Sequence, residues 1–299
     1  MTYVDAATAG VCDVPGTASW SGEAPIGVFD SGLGGLTVVR RLREELPRES
    51  ILYVADQAHV PYGGRELSEV RGFACSISEA LLGADCKAVV MACNISSATA
   101  LPVVRLDHPG TPVVGVISPG AQAAATHSHS GRIGVLATEG TVRTGAYTRA
   151  LKAVDLEFQV VEVPCPLFVP LVESGEFDTP AAFDAARAYL DPLLRAGVDC
   201  VILGCTHYPF LLPALKAIAP ALPFIDPAEE TAREVGRLVA ATDRAAPASA
   251  HAPRTRLLTT GDASAFEAQL DRFPLGCGRS CEIGSGFWES GLLRLVLPA

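Results

Sequence analysis

Two stretches of the chain repeat one pattern: Ala88-Val-Val-Met-Ala-Cys93-Asn94 and Cys200-Val-Ile-Leu-Gly-Cys205-Thr206. In each, an apolar run ends in a small residue and a cysteine, and a short polar residue follows. The two thiols are separated by about the length of one domain. A cysteine between a strand and a helix has its thiolate favoured by the helix dipole and the free backbone N–H groups. Asn94 and Thr206 can cap such a helix or hold polar groups of a ligand. If both thiols face one cavity, one can take a proton from a carbon while the other delivers one to the opposite face. That inverts a stereocentre by general acid–base catalysis without a cofactor. Nucleophilic attack is the other chemistry open to cysteine and calls for a nearby histidine. His207, two residues past Cys205, serves either scheme. Simple packing is the third reading, because free cysteine is among the most buried residue types. Cys75, Cys86, Cys165 and Cys200 lack this context and read as packing residues. Zinc is disfavoured: Cys205 and His207 lack further ligands, and Cys277 and Cys281 form one C-x-x-x-C spacing without a second pair.

A further stretch, Asp30-Ser-Gly-Leu-Gly-Gly-Leu-Thr37, follows the first apolar run. A dinucleotide fingerprint would need glycine where Thr37 stands, although Asp56 lies at a plausible spacing for a ribose contact. The alternative makes Asp30 and Ser31 site residues at a strand tip, with glycines that let other chain segments approach.

The elements that must position these groups are short and apolar. Hydrophobic residues make up 49% of the 299 residues and charged ones 19%. Mean hydropathy is +0.30, yet no apolar run reaches the roughly 18 residues of a membrane span. Apolar bursts alternate with amphipathic segments, which predicts α/β architecture with mostly parallel sheets buried on both faces. Strands are predicted at Ile26–Phe29, Ile51–Ala55, Ala88–Ala92, Val113–Ile117, Ile133–Ala137, Glu157–Val163, Val198–Leu203 and Leu222–Ile225. Helices are predicted at Leu36–Leu46, Glu66–Leu82, Thr144–Val154, Pro180–Ala196, Phe210–Ala219 and Thr231–Ala241, with a helix or turn at Ser96–Leu101. The internal repeat implies two similar α/β domains, each with one thiol at a strand's C-terminal end, where open α/β sheets bind ligands. A net charge of −10 without a basic stripe argues against nucleic acid. An anionic ligand would therefore need local donors. The first basic residue is Arg40, and nine cysteines are scattered through apolar segments; both suit a cytoplasmic protein with reduced thiols.

Five motifs then occur in an order that resembles the glutamate racemases of the aspartate/glutamate racemase family. They are Asp30-Ser-Gly-Leu-Gly-Gly, Pro61-Tyr62-Gly63, Ala92-Cys93-Asn94, Cys165-Pro-Leu-Phe-Val-Pro-Leu-Val-Glu173 and Gly204-Cys205-Thr206-His207-Tyr208-Pro209. The resemblance runs from about Ile26 to Leu238 and fades into Thr259-Thr-Gly-Asp262. It implies cofactor-independent interconversion of L- and D-glutamate, supplying D-glutamate for peptidoglycan, with no metal. Cys93 and Cys205 would be the acid–base pair, with Asp30 assisting proton transfer and Glu173 a second carboxylate near His207. Ser31, Tyr62, Gly63, Asn94, Thr206 and His207 would line the pocket, as would Thr138 and Thr141. The implied fold places this site in a cleft between two domains, residues 25–117 with 228–275 and residues 118–227. Residues 1–24 are a flexible extension and 276–299 a tail without an assigned role. The expected partner is a small-molecule substrate, and the oligomeric state stays open between monomer and homodimer.

One position departs from the pattern. Ile95 stands where these racemases carry threonine, so a hydroxyl that would hold substrate is missing. Losing one hydrogen bond to a charged group costs about 1.5–3 kcal/mol, roughly ten- to a hundredfold in affinity or rate. Two alternatives follow from Ile95: a racemase of another acidic amino acid such as aspartate, or a weakly active carboxylate-binding relative.

Overall fold

The computed structural model describes residues 24–242, 244–247, 252–270 and 281–298. Most of the N-terminal extension lies outside the described residues, and so does Cys277. Seven strands form one sheet: β1 (Ile26–Asp30), β2 (Ile51–Ala55), β3 (Ala88–Met91), β4 (Val113–Gly115), β9 (Thr255–Thr259), β10 (Cys281–Glu289) and β11 (Leu292–Val296). Four more form a second: β5 (Arg132–Ala137), β6 (Gln159–Pro164), β7 (Cys200–Gly204) and β8 (Phe224–Ile225). Their orders are β11-β10-β9-β2-β1-β3-β4 and β6-β5-β7-β8. Every pairing is parallel except β10 with β11. The expected α/β class with two mostly parallel sheets is what the chain adopts.

Strands β1, β2, β3 and β7 are buried along their whole length. This explains why they read as unbroken apolar runs: helices cover both faces of a parallel sheet. Burying each Val, Ile, Leu or Phe side chain there contributes about 1.5–3 kcal/mol. The order places β1 between β2 and β3, and β5 between β6 and β7. Each sheet therefore has a switch point at its C-terminal edge, where successive connections leave in opposite directions and open a crevice.

Several predicted elements shift. The strand expected at Val113–Ile117 stops at Gly115, and Ile117–His127 is a helix that the sequence reading lacks. Pro119-Gly120 reads as a turn signal, but proline is tolerated in a helix's first turn, where its missing N–H has no partner to lose. Ser96–Leu101 lies inside a longer helix, Asn94–Asp107, which runs through Pro102. The helix expected at Thr144–Val154 is two, Glu139–Thr144 and Ala146–Val154, broken at Gly145. Past Cys205 the chain forms a 3-10 turn, Tyr208–Leu211, before the helix Leu212–Ile218. Part of the expected tail enters the larger sheet, because β10, from Cys281, pairs with β9 and the chain then turns back as β11. Lys87, only 1% exposed, pairs with Glu49 and donates to the Arg244 carbonyl at 2.9 Å. The polar segment near residue 245 is thereby tied to the sheet.

Candidate active site

Strand ends from both sheets converge on one cavity of about 230 Å³. From the larger sheet come Asp30 and Ser31 at the tip of β1, Cys93, Asn94 and Ile95 after β3, and Tyr62 and Gly63 from the loop after β2. From the smaller sheet come Thr138 and Thr141 after β5, and Cys205, Thr206 and His207 after β7. Of the expected site residues, only Glu173 stands off the cavity wall. It accepts from His207, with Nε2 to Oε1 2.6 Å, at the end of the helix Phe168–Glu173.

The two thiols sit in unlike surroundings. Cys93 is the N-cap of the helix Asn94–Asp107, so the positive end of that helix dipole lies beside its sulfur. Burial and then the Asp30 carboxylate push this thiol well above the usual range. Cys205 has no comparable α-helix start; it has His207, with Nδ1 3.7 Å from its sulfur. Burial works against charge on His207, but hydrogen bonds to Cys205 and Glu173 outweigh it and lift the imidazole well above its ordinary value. The sequence repeat thus brings both cysteines to one cavity with unlike neighbours.

Asp30 joins the two halves. Its Oδ2 accepts from the Gly35 amide at 2.7 Å and from the Thr206 hydroxyl at 3.1 Å. Burial raises its pKa, and the nearby His207 charge and these hydrogen bonds oppose the rise. The glycine loop is a spacer for this contact rather than a phosphate cradle. A Cβ on Gly34 would run into the Thr206 hydroxyl and lie 2.6 Å from His207 Nδ1. The dinucleotide reading also loses Asp56, which is fully buried and already accepts from Tyr62 and Thr260.

Among the described residues, no Lys or Arg lines the cavity. An anion there must be held by hydroxyls and amides, and these are plentiful. Thr138 and Thr141 hydroxyls lie 3.0 Å apart, and Thr138 caps the helix that follows it. Asn94 is oriented by the buried Tyr147, whose hydroxyl donates to Oδ1 at 2.7 Å. Its amide N–H groups are left for other partners. Ile95 packs with Tyr62, Val70 and Cys93 and abuts Gly140, where no side chain would fit. Cys165, read from sequence as packing, lines the same cavity, although its thiol donates to the Val163 carbonyl at 3.3 Å. Tyr147 carries no sequence signal of its own, because its partner Asn94 is distant in the chain, and the spacing of Asp56 points to a ribose rather than to Tyr62 and Thr260. Among the described residues, no group of three or more His, Cys, Asp or Glu is placed to hold a metal ion.

The sequence model of Asp/Glu/hydantoin racemases matches residues 26–235, a span that contains both thiols and every cavity residue named above. The chain belongs to the Asp/Glu/hydantoin racemase family. Within this racemase family, a glutamate racemase of Beutenbergia cavernae is 44% identical over 262 residues, covering 84% of this chain and 89% of its own. Among solved structures, a glutamate racemase isoform from Bacillus anthracis superposes with a TM-score of 0.82 at 35% identity, covering 90% of this chain and 98% of that one. The glutamate racemase of Thermus thermophilus in complex with beta-chloro-D-alanine gives 0.78 at 42% identity, with the same coverage. The paired cysteine motifs and the two-sheet architecture of the racemase fold are thus accounted for together.

Proposed function

We propose that this racemase interconverts L- and D-glutamate by two-thiol proton transfer, without an organic cofactor. The observation that carries the reading is the convergence of Cys93 and Cys205, from equivalent strands of two sheets, on one small cavity lined by donors and, among the described residues, free of Lys and Arg. The names of its relatives support glutamate as substrate.

In this reading the substrate carboxylates are held by Ser31, Asn94, Thr138, Thr141 and Thr206, and the α-carbon lies between the sulfurs. In one direction the Cys205 sulfur, with His207 and Glu173 behind it, removes the α-proton and becomes a thiol. The Cys93 thiol gives its proton to the opposite face and becomes a thiolate. The other direction exchanges the roles. Asp30, buried between Cys93 and Thr206, assists proton transfer at the Cys93 side. Tyr62 and Gly63 close the cavity from the loop after β2.

D-glutamate for peptidoglycan is the product use that this reading assigns. A cytoplasmic location follows from its chemistry, since both thiols must stay reduced; Cys93 and Cys205 are both free thiols. No helix among those residues is long and apolar enough to cross a membrane.

The test is proton NMR of the protein with L-glutamate, and separately L-aspartate, in D₂O. Loss of the glutamate α-proton signal with accumulation of D-glutamate is expected. Exchange of aspartate alone would move the substrate, as the apolar Ile95 side chain in the wall allows. Exchange of neither, by folded protein with reduced thiols, would reduce the site to carboxylate binding.

A further inference from the structure

The chain past residue 235 lies outside the family match, yet two of its side chains reach the rear of the cavity wall. Asp56 follows β2 and is wholly buried. Its Oδ2 accepts from the Tyr62 hydroxyl at 2.5 Å and from His59 Nδ1 at 2.8 Å. Its Oδ1 accepts from the Thr260 hydroxyl at 2.7 Å and from the Trp288 indole Nε1 at 2.8 Å. An indole N–H can only donate, and a carboxylate only accepts, so the direction of each bond is set. Four donors from three separated segments leave this carboxylate one orientation. That orientation determines where the Tyr62 hydroxyl can bond.

The surroundings reinforce the geometry. Trp288 meets Phe73 edge-on, with ring centroids 5.5 Å apart, and His59 likewise at 4.9 Å. His59 stacks on Phe73 at 3.9 Å. Tyr62 is 2% exposed and lines the cavity on the other side of Asp56. Trp288 sits on β10, whose pairing with β9 and β11 fixes its height along the sheet.

We propose that Trp288 is a positioning residue for the racemase site, acting through Asp56 to hold Tyr62 in the cavity wall, so that the β10–β11 hairpin completes the site from outside the family core. Its kinetic consequence rests on the glutamate reading; the relay itself does not.

Trp288→Phe keeps an aromatic ring against Phe73 and His59 and removes only the indole donor. Thr260→Val removes the second donor without touching the hairpin, and serves where Trp288→Phe fails to fold. Each change is expected to lower kcat/KM for glutamate about tenfold, the effect of one lost hydrogen bond to a charged group. In a Tyr62→Phe background each should lower it less than about twofold, because residues acting in one network are not additive. Equal losses in both backgrounds, or no loss with Tyr62 present, overturn the proposal.

A second readout needs no turnover. The chain has two tryptophans, Trp20 and Trp288, so a Trp20→Phe variant assigns the Trp288 indole N–H signal by ¹⁵N NMR. Tyr62→Phe is expected to shift that signal through the shared carboxylate, and an unmoved signal overturns the relay. If the unaltered protein exchanges no α-proton of glutamate, the racemase reading fails while the indole signal still decides the relay.

Discussion

Cys93 and Cys205 differ more in their neighbours than in where they lie. Cys93 relies on a helix N-terminus and faces a carboxylate that opposes its ionisation; Cys205 has the His207–Glu173 pair behind it. Replacing either by Ala should lower racemisation by about 10²–10⁴-fold, the range of a lost general acid or base, with the fold retained. Full racemisation by one single variant would exclude the two-thiol scheme. The same asymmetry predicts a pH signature. The imidazole of His207 is lifted above its ordinary value in the fold. The stabilisation it brings is therefore complete below the unfolded pKa of about 6.5 and is lost as pH rises through the folded value. Glu173→Gln removes the charge partner, so the melting-temperature gap between the two proteins should be widest near pH 6 and narrow at alkaline pH. A gap that widens with pH would contradict the pairing. Ile95→Thr returns a hydroxyl to the wall and should raise kcat/KM for glutamate severalfold. A fall would mean that the cavity is shaped around the Ile95 contact with Gly140 and Tyr62.

At the scale of elements, the reach of sequence reading followed burial. Strands β1, β2, β3 and β7 were legible because each is apolar on both faces, and both cysteine motifs mark strand ends by the polar residue that follows. The helix Ile117–His127 was not legible, since Pro119-Gly120 carries turn chemistry locally and only tertiary packing makes it a helix start. Equivalence at the two thiols was overread for the same reason: a polar follower does not distinguish the helix after Cys93 from the 3-10 turn after Cys205. Partners far apart in sequence, such as Tyr147 with Asn94 or Trp288 with Asp56, leave no local trace at all. The glycine loop after β1 was half legible, as a place of close approach but not what approaches. That approach yields an element-level test. Gly34→Ala places a methyl group 2.6 Å from His207 Nδ1, which forces Thr206 and His207 away from Asp30. Such overpacking costs about 1–3 kcal/mol, and kcat/KM should fall by more than the stability loss explains. Unchanged kinetics would show that the loop shifts without moving the site.

For the whole molecule, the polar links between the two sides of the cavity include the buried Thr206–Asp30 and Tyr147–Asn94 pairs and two more between loop and helix. The Gly140 amide donates to the Gly63 carbonyl at 2.8 Å, and Arg143 donates to the Arg65 carbonyl at 2.9 Å. Both join the loop after β2 to the helix after β5. We predict that the Gly140–Gly63 and Arg143–Arg65 links part to admit a substrate that touches both sides, and that bound substrate favours the state in which they are closed. Opening of this mouth is then a local event, distinct from unfolding of either sheet. Amide hydrogen exchange should separate the two. Saturating glutamate is expected to slow exchange at Gly140 at least tenfold. Without ligand, exchange at Val201, whose amide bonds within the smaller sheet to the Pro223 carbonyl, should already be far slower than at Gly140, because it requires unfolding of the sheet rather than opening of the mouth. Under conditions where that buried amide exchanges too slowly to follow, Gly140 alone should respond. Equal protection at both amides would mean that the molecule opens as one unit, and that the cleft between the sheets is not the path by which substrate reaches the paired thiols.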